Sequence, residues 1–497
     1  MNAAKEKHKK LGSGAKTQNL MSPMQNSKLY SILEYFDKYE QNRLRKFITS
    51  PYFNKNEALV ALFDLMAEQI NGDKSVDLEK EVLWEKIYNN NSYDDVLFRK
   101  NCSDLLKLIE SYLAQQMYEE NPIHKANFLI AAIGKKKLPK LFNTSIKTAR
   151  RLSEQQLYRT TDYYLGQYEL ERNLYDLAEL GHDRASKKNV EAILDNLDRF
   201  YLAEKLRYSC TALSQQVLVS LEYKLLFINE ILDHINKYGY EDVPPIAVYY
   251  QIYLANTKTE DTQHYYKLMS LLEKYGDLFP KYEAEFIYGF PLNYCIKKIN
   301  QGNQIFLEEY FNVCEILLEK ELIINDGEMS PWHFRNIVTA ALRLGKTKWT
   351  EDFIKEYQKF LPNLMRENAV SFNLASLYMY QKNYQDVIKT LSTIEYDDFS
   401  YNLNSKVMLM SSYYETDEIE PLYSLMESFR TYLNRHKDFS HSRRVLYANL
   451  IKFTKQLTKI TPGDKKALEK LKAEVAKAEE KGIASINWLK EKIAELE

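Results

Sequence analysis

Glycine and proline are scarce in this sequence, with 14 glycines and 12 prolines among 497 residues. That is less than half of average usage. Because both residues interrupt helices, their scarcity predicts a chain that is mostly helix joined by short turns. Hydrophobic residues make up 45% of the sequence, which is enough for one large core or for two to four blocks of domain size.

Cysteines and long apolar runs are also rare. The four cysteines, Cys102, Cys210, Cys295 and Cys314, form no CxxC pair, which is typical of reduced, buried thiols in a cytosolic protein. No uncharged run reaches the ~18 residues that would suggest a membrane span. Residues 1–27 are basic and polar and lack the apolar segment of a signal peptide. We therefore predict a disordered basic tail on a cytoplasmic protein that does not enter membranes.

Motifs for catalysis and cofactor binding are missing. The sequence Gly345-Lys346-Thr347 resembles the end of a phosphate-binding loop, but Ala340 stands where its first glycine is needed. The eight histidines form no HExxH and no zinc-ligand spacing with cysteine, and no Gly-x-Ser-x-Gly turn is present. The carboxylates of residues 308–321 are typical of a solvated helix face. We predict a protein that is not an enzyme and holds no cofactor or metal, although catalytic residues dispersed along the chain remain an alternative.

The sequence repeats itself between residues 338 and 429. In the middle copy, Leu374, Ala375 and Tyr378 share one helical face, and Val387 and Leu391 continue it after a polar break. The pattern recurs about 34 residues earlier and later. The equivalent positions are Ala341, Leu344, Phe353, Tyr357 and Phe360 in the first copy and Met410, Tyr413, Leu422, Met426 and Phe429 in the last. A repeat of this length indicates helical hairpins that bury their apolar faces by stacking on one another.

These patterns predict an all-α fold, a right-handed α-solenoid of helical hairpins. We place an N-terminal helical block at 28–120, a segment of long helices at 121–240, the repeats at 241–460 and a capping helical hairpin at 461–497. Long helices are expected at 152–180 and 212–238, with Gly181 and Gly239 as their stop signals. The superhelix curvature and the oligomeric state stay open.

Cations are concentrated in two segments that hold almost no acids, although the net charge is -1. Residues 121–153 contain no acidic residue, and residues 430–459 contain only Asp438. Such segregation can attract an anionic partner, a nucleic acid included. Alternatively, the cations are solvated and balance acidic neighbours. The candidate contacts are Lys135, Lys136, Lys137, Lys140, Arg150 and Arg151 in the first segment and Arg435, Arg443 and Arg444 in the second.

Two resemblances follow from these residues. Residues 369–429, with Leu374-Ala375-x-x-Tyr378 and Val387-x-x-x-Leu391, resemble the tetratricopeptide repeat. They depart from it at Ser371, where that family prefers Trp, and at Val387, where it prefers Ala. Nearly the whole chain also resembles an uncharacterised bacterial family of about this length, on the stretches 47–55, 293–302, 330–332 and 428–433. That family supplies no activity and no site residues.

Two functions are compatible with the sequence. The first is a non-enzymatic scaffold or adaptor that binds a peptide or protein on the concave surface of the solenoid. The second is a nucleic-acid-associated regulator that uses segments 121–153 and 430–459. A shared face for the two segments would favour the second.

Overall fold

The computed structural model describes residues 24–72, 75–89, 92–180, 189–219, 222–392, 399–436, 440–461, 463–480 and 482–496. Residues 1–23 of the predicted tail lie outside these ranges. The end of that tail is ordered, because Met24 is buried and Ser27 caps the first helix, with its side chain accepting a hydrogen bond from the Tyr30 amide.

Helices make up nearly all of the secondary structure. Within the described ranges the only strands are β1 (Ile324–Asn325) and β2 (Glu328–Met329), which pair antiparallel. The all-α prediction is therefore confirmed. The chain divides into two compact units, the first formed by residues 1–156 and 165–197 and the second by residues 157–164 and 198–497.

The first unit begins with a bundle of short helices and continues with longer ones. Local signals set their ends: Asp37 and Glu40 form a capping box at the start of α2, and Gly72, with φ of 69°, ends α3. The helices are α1 (Lys28–Leu33), α2 (Lys38–Ile48), α3 (Glu57–Asn71), α4 (Lys80–Tyr88), α5 (Asp95–Glu120), α6 (Pro122–Lys136) and α7 (Phe142–Glu154).

The long helix α5 buries one narrow apolar stripe. Leu105, Ile109 and Tyr112 are buried, whereas Leu97 and Leu113 are exposed. The helix packs against α2, α3 and α6, and Leu97 and Leu113 lie outside the buried face.

Two long helices cross the boundary between the units, α8 (Thr161–Leu180) and α9 (Val190–Val219). The prediction of one helix over 152–180 is wrong, because α7 ends at Glu154 and α8 begins at Thr161. The prediction of a helix over 212–238 is also wrong, because residues 222–227 are not helical and α10 begins only at Ile228. Gly239 ends the following helix as predicted, and Gly181 lies outside the described residues.

The second unit contains successive antiparallel hairpins followed by a C-terminal group. Each hairpin has a first and a second helix that contact each other, and neighbouring hairpins contact in turn. The helices are α10 (Ile228–Tyr238), α11 (Pro244–Thr257), α12 (Gln263–Tyr275), α13 (Lys281–Asn300), α14 (Ile305–Glu319), α15 (Pro331–Arg343), α16 (Thr347–Tyr357), α17 (Asn363–Tyr380), α18 (Tyr384–Leu391), α19 (Phe399–Glu415), α20 (Ile419–Arg435), α21 (His441–Leu457), α22 (Lys465–Glu479) and α23 (Ile486–Ala494).

Four hairpin turns share one backbone geometry. In each turn a residue with positive φ ends the first helix, and the next amide donates to the carbonyl five residues earlier. This is the Schellman motif. The positive-φ residues are Gly302, Gly345, Lys382 and Asp417, and the donor–acceptor distances are 3.0 Å (Asn303 to Lys298), 2.9 Å (Lys346 to Ala341), 2.9 Å (Asn383 to Tyr378) and 2.9 Å (Glu418 to Tyr413). The sequence repeat thus corresponds to a structural repeat of hairpins.

Most positions that define the sequence repeat are buried, and the others are half-buried, namely Leu344, Tyr357, Phe360, Leu374, Tyr378 and Tyr413. The small residues Ala341 and Ala375 are buried, and so is Leu391. Phe353, Leu422, Met426 and Phe429 are buried at the equivalent phase of α16 and α20. At the C-terminus, α22 and α23 contact each other and α21. Their buried apolar residues are Leu468, Leu471, Val475, Leu489 and Ile493.

Candidate binding surfaces

Four predicted contact lysines lie together at the tip between α6 and α7, in the first unit. Lys137 has φ of 54°, and the Leu138 amide donates to the Ile133 carbonyl at 3.1 Å, so α6 stops abruptly. A short 3₁₀ turn at Pro139–Leu141 then leads into α7. The structure therefore brings Lys135, Lys136, Lys137 and Lys140 into one exposed turn, which we call the lysine tip.

No acidic side chain of the described residues pairs with the lysine tip. Within the described part of the chain, none of its four ammonium groups forms a hydrogen bond or an ion pair. Leu138 and Leu141, in the same turn, are also exposed. The tip therefore offers positive charge that is not neutralised by acidic neighbours.

The two predicted arginines of α7 differ from each other. Arg150 pairs with Glu171, whose side chain is buried, so this arginine neutralises a buried carboxylate of α8. Arg151 is exposed, and no described residue bonds to its side chain. Of the six candidates in residues 121–153, Arg150 therefore already forms an ion pair within the protein.

The second basic segment belongs to the second unit, and three of its cations form ion pairs with acidic side chains. Glu427 pairs with Arg430 and with Lys455, at 3.4 and 3.3 Å, and Glu474 pairs with Lys452 at 2.9 Å. The candidate Arg435 is exposed at the end of α20, and Arg443 and Arg444 lie in the first turn of α21. Lys437 lies outside the described residues. The pairs found here favour the interpretation that this segment balances neighbouring carboxylates.

A groove of about 330 Å³ is lined by α13, α14 and α15, where two consecutive hairpins meet. All three helices contribute apolar residues to its lining, and its polar residues stand on α13 and α15; we call it the polar groove. Asn300 of α13 faces Asn336, Thr339 and Arg343 of α15 across it. Arg343 donates to the Gln304 side chain at 2.9 Å, whereas neither asparagine side chain bonds to another described residue. Free amides can donate to and accept from a peptide backbone, and an arginine can bind a carboxylate.

The interior of the second unit contains a buried carboxylate between α11 and α13. The Tyr249 hydroxyl donates to Glu283 Oε1 at 2.7 Å, and Glu283 Oε2 has no hydrogen-bond partner among the described residues. Burial raises the pKa of Glu283, and this effect exceeds the opposing effects of the Tyr249 hydrogen bond and of Arg207. Because both side chains are buried, the pair cannot touch a ligand without rearrangement.

Cysteine thiols and the other side chains that commonly bind metal ions are dispersed among the described residues. The four cysteines are free, and three of them, Cys210, Cys295 and Cys314, are buried. Burial raises the pKa of each thiol, to about 12 for Cys295 and Cys314. In the described ranges, no three His, Cys, Asp or Glu side chains are grouped to hold a metal ion. No described helix is long and apolar enough to cross a membrane.

Sequence reasoning missed the polar groove. Its signal is visible afterwards, because Asn336, Thr339 and Arg343 stand at i, i+3 and i+7 and so share one face of α15. Periodicity alone does not distinguish such a face from an ordinary solvated surface. The asparagine on α13 completes the groove, and only the packing of two hairpins brings it there.

Comparison with known proteins gave no match among family models, curated proteins or solved structures. The resemblances to the tetratricopeptide repeat and to a bacterial family therefore stay predictions.

Proposed function

We propose that the chain is a non-enzymatic scaffold whose hairpins stack as a right-handed α-solenoid and bind a peptide segment of another protein. The polar groove on α13 and α15 is the observation that carries this proposal. Solenoids use the surface of their repeated helices to hold extended ligands. Here two unpartnered asparagines would bind the peptide backbone, and Arg343 would bind an acidic side chain or a terminal carboxylate.

A displayed peptide library tests this function on the full chain. Peptides that bind the wild type are measured against Asn336→Ala/Arg343→Ala, which removes one amide and one cation from the groove. We expect affinity to fall at least tenfold, because each lost charge-assisted hydrogen bond contributes about 1.5–3 kcal/mol. Asn312→Ala/Lys355→Ala is the matched control, since both residues are exposed and lie outside the groove. The proposal would be contradicted if the selected peptides bind the groove variant and the control variant as tightly as the wild type.

The lysine tip supports a second candidate function, binding of a nucleic-acid backbone. Four adjacent cations without counter-charge attract phosphates and release their condensed counterions. Replacing Lys135, Lys136, Lys137 and Lys140 with Gln should weaken binding to duplex DNA or RNA at low salt. It should also reduce the slope of log K against log salt by roughly 3–4.

The control for the lysine tip changes charge elsewhere in the same unit. Lys28, Lys46, Lys55 and Lys100 are exposed and have no bonded partner among the described residues. Their replacement with Gln should leave binding within about twofold, because only phosphates near the tip release counterions. Absence of binding to single- and double-stranded DNA and RNA at low salt would remove this candidate.

A further inference from the structure

An aromatic groove of about 440 Å³ runs between α14 and α16, the second helices of two consecutive hairpins. Trp349, Phe353 and Tyr357 follow each other at i, i+4 and i+8 along α16 and stack. Their ring centroids are 5.2 and 4.9 Å apart, with interplanar angles of 6° and 23°. Phe353 is buried, whereas Trp349 and Tyr357 are partly exposed. The groove therefore has an apolar floor and two accessible ring systems.

Carboxylates line both sides of this floor. Glu315 and Glu319 stand one turn apart on α14, and Asp352 and Glu356 stand one turn apart on α16. All four are exposed. Burial, with the charges of Glu356 and Glu321, raises the pKa of Tyr357, which is consistent with a negative field at the ring.

The fold supplies little positive charge to this groove. Asp352 pairs with Lys348 at 2.9 Å, but Glu315, Glu319 and Glu356 have no hydrogen bond or ion pair with any described residue. No lysine or arginine is among the lining residues. Two lysines near the groove are engaged elsewhere: Lys320 pairs with Asp277 at 2.6 Å, and Lys346 lies 4.8 Å from the Phe311 ring centroid.

We propose that this groove binds a peptide segment with arginine or lysine at alternate positions. Aromatic faces and carboxylates are the two groups that attract a guanidinium or ammonium ion. Carboxylates one helical turn apart are separated by about 6 Å along the axis. Side chains on one face of an extended peptide repeat every ~6.8 Å. Basic residues at positions i and i+2 of the peptide therefore match the carboxylates along either helix.

This site is separate from the polar groove on α13 and α15. The two grooves share no lining residue, and the charge of the aromatic groove is negative rather than positive. A partner could use either groove alone. The aromatic groove can therefore fail its test while the scaffold proposal stands, and the reverse also holds.

The test measures binding of a nine-residue peptide in which arginine alternates with serine. Isothermal titration calorimetry gives the affinity, and Trp349 fluorescence reports contact with the ring. In Glu315→Gln/Glu319→Gln/Glu356→Gln we expect affinity to fall at least tenfold. The matched control, Glu273→Gln/Glu308→Gln/Glu367→Gln, removes three exposed, unpaired carboxylates outside the groove and should change affinity less than twofold. If the groove variant fails to fold by circular dichroism, Glu356→Gln alone is measured and should weaken binding at least threefold.

Three results would overturn the proposal. The first is equal loss of affinity in the groove and control variants, which would indicate attraction by the general field. The second is equally tight binding of an alternating glutamate peptide. The third is equally tight binding of spermidine or of a peptide with the same arginines in one block, since alternate spacing would then have no role.

Discussion

Lys492 shows how a single buried ion is accommodated at the residue scale. Its ammonium contacts Glu415 at 2.9 Å and Glu495 at 2.7 Å, and its side chain is only 5% exposed. Burial lowers the pKa of Lys492, but the hydrogen bonds to Glu495 and Glu415 outweigh burial and raise the pKa overall. The Trp488 indole also donates to Glu415, at 2.8 Å. This network joins α23 to the end of α19.

Lys492→Met should destabilise the second unit by about 3 kcal/mol. The substitution keeps the apolar stem and removes the charge, so Glu415 loses its cation while remaining largely buried. The Trp488 indole still donates a hydrogen bond to one carboxylate oxygen of Glu415. We therefore expect the loss of stability to lie at the low end of the range for a broken buried ion pair. The control Lys490→Met breaks a pair with Glu479 that is about half exposed and should cost less than about 1 kcal/mol. Urea unfolding monitored by Trp fluorescence measures both, and equal costs would contradict the assignment.

Glu283 gives the second unit a pH-dependent stability. Its folded-state pKa lies above the ordinary value because it is buried. Between these two values the folded state binds more protons than the unfolded state, so stability falls as pH rises through that window. Glu283→Gln removes this loss and should be more stable than wild type at pH 8. The difference should vanish toward pH 4, where the wild-type carboxyl is protonated in both states. A difference that stays constant from pH 4 to 8 would contradict this account.

At the scale of elements, the hairpin turns depend on one backbone conformation. Gly345 and Asp417 occupy the same left-handed position of equivalent turns, with φ of 73° and 57°. An L-residue with a side chain pays about 1–2 kcal/mol there, and glycine does not. A Cβ added at Gly345 meets no atom within 4 Å. The φ preference can therefore be measured there without a clash.

Gly345→Ala should reduce the free energy of unfolding by about 1 kcal/mol, because alanine is strained at positive φ. Asp417→Gly should increase it by about 0.5 kcal/mol, since removing the strain exceeds the entropy that glycine loses on folding. Chemical denaturation measures both variants. Changes of the same sign would show that the two turns are not equivalent.

The sequence predicted the helices where local signals and burial agree. Val387, Leu391, Leu422 and Met426 stand at helical spacing and are all buried. It failed at residues 155–160, which contain no Gly or Pro. There the Arg159 amide donates to the Leu278 carbonyl at 2.8 Å, so a tertiary hydrogen bond replaces the helical one. The prediction also failed before α10, where Phe227 adopts a φ of 64°. A phenylalanine rarely adopts this left-handed conformation, so its presence in the sequence does not predict a helix break there.

The candidate sites were predictable only in part, for a related reason. Acid-free residues 121–153 predicted exposed lysines, and the lysine tip is exposed. Whether a cation is neutralised depends on the helix packed beside it. Lys452 is paired because α22 brings Glu474 to within 2.9 Å, whereas Glu315 of α14 pairs with no cation among the described residues. The local sequence does not predict such ion pairs, because the two partners lie on different helices.

At the scale of the whole molecule, each unit has apolar clusters of its own. In the first unit, α1–α5 share one buried cluster. In the second unit, one cluster runs from α9 to α17 and another joins α19 to α23, while Leu391 lies in a small cluster with Phe372, Ala375, Val387 and Tyr401. Stability in a repeat array is approximately a sum over units and their neighbours. Damage to one cluster should then remain local.

Leu391→Ala should cost roughly 2–5 kcal/mol, the range for a truncated core leucine, because Leu391 is only 2% exposed. Hydrogen exchange should become faster across residues 336–433 and stay nearly unchanged across residues 29–117. The matched control is Leu364→Ala on α17, which removes the same atoms from a side chain that is 98% exposed and should change stability by no more than about 0.5 kcal/mol. If Leu391→Ala instead lowers protection uniformly along the chain, the protein unfolds as one cooperative globule. The proposed solenoid would then lose its physical basis.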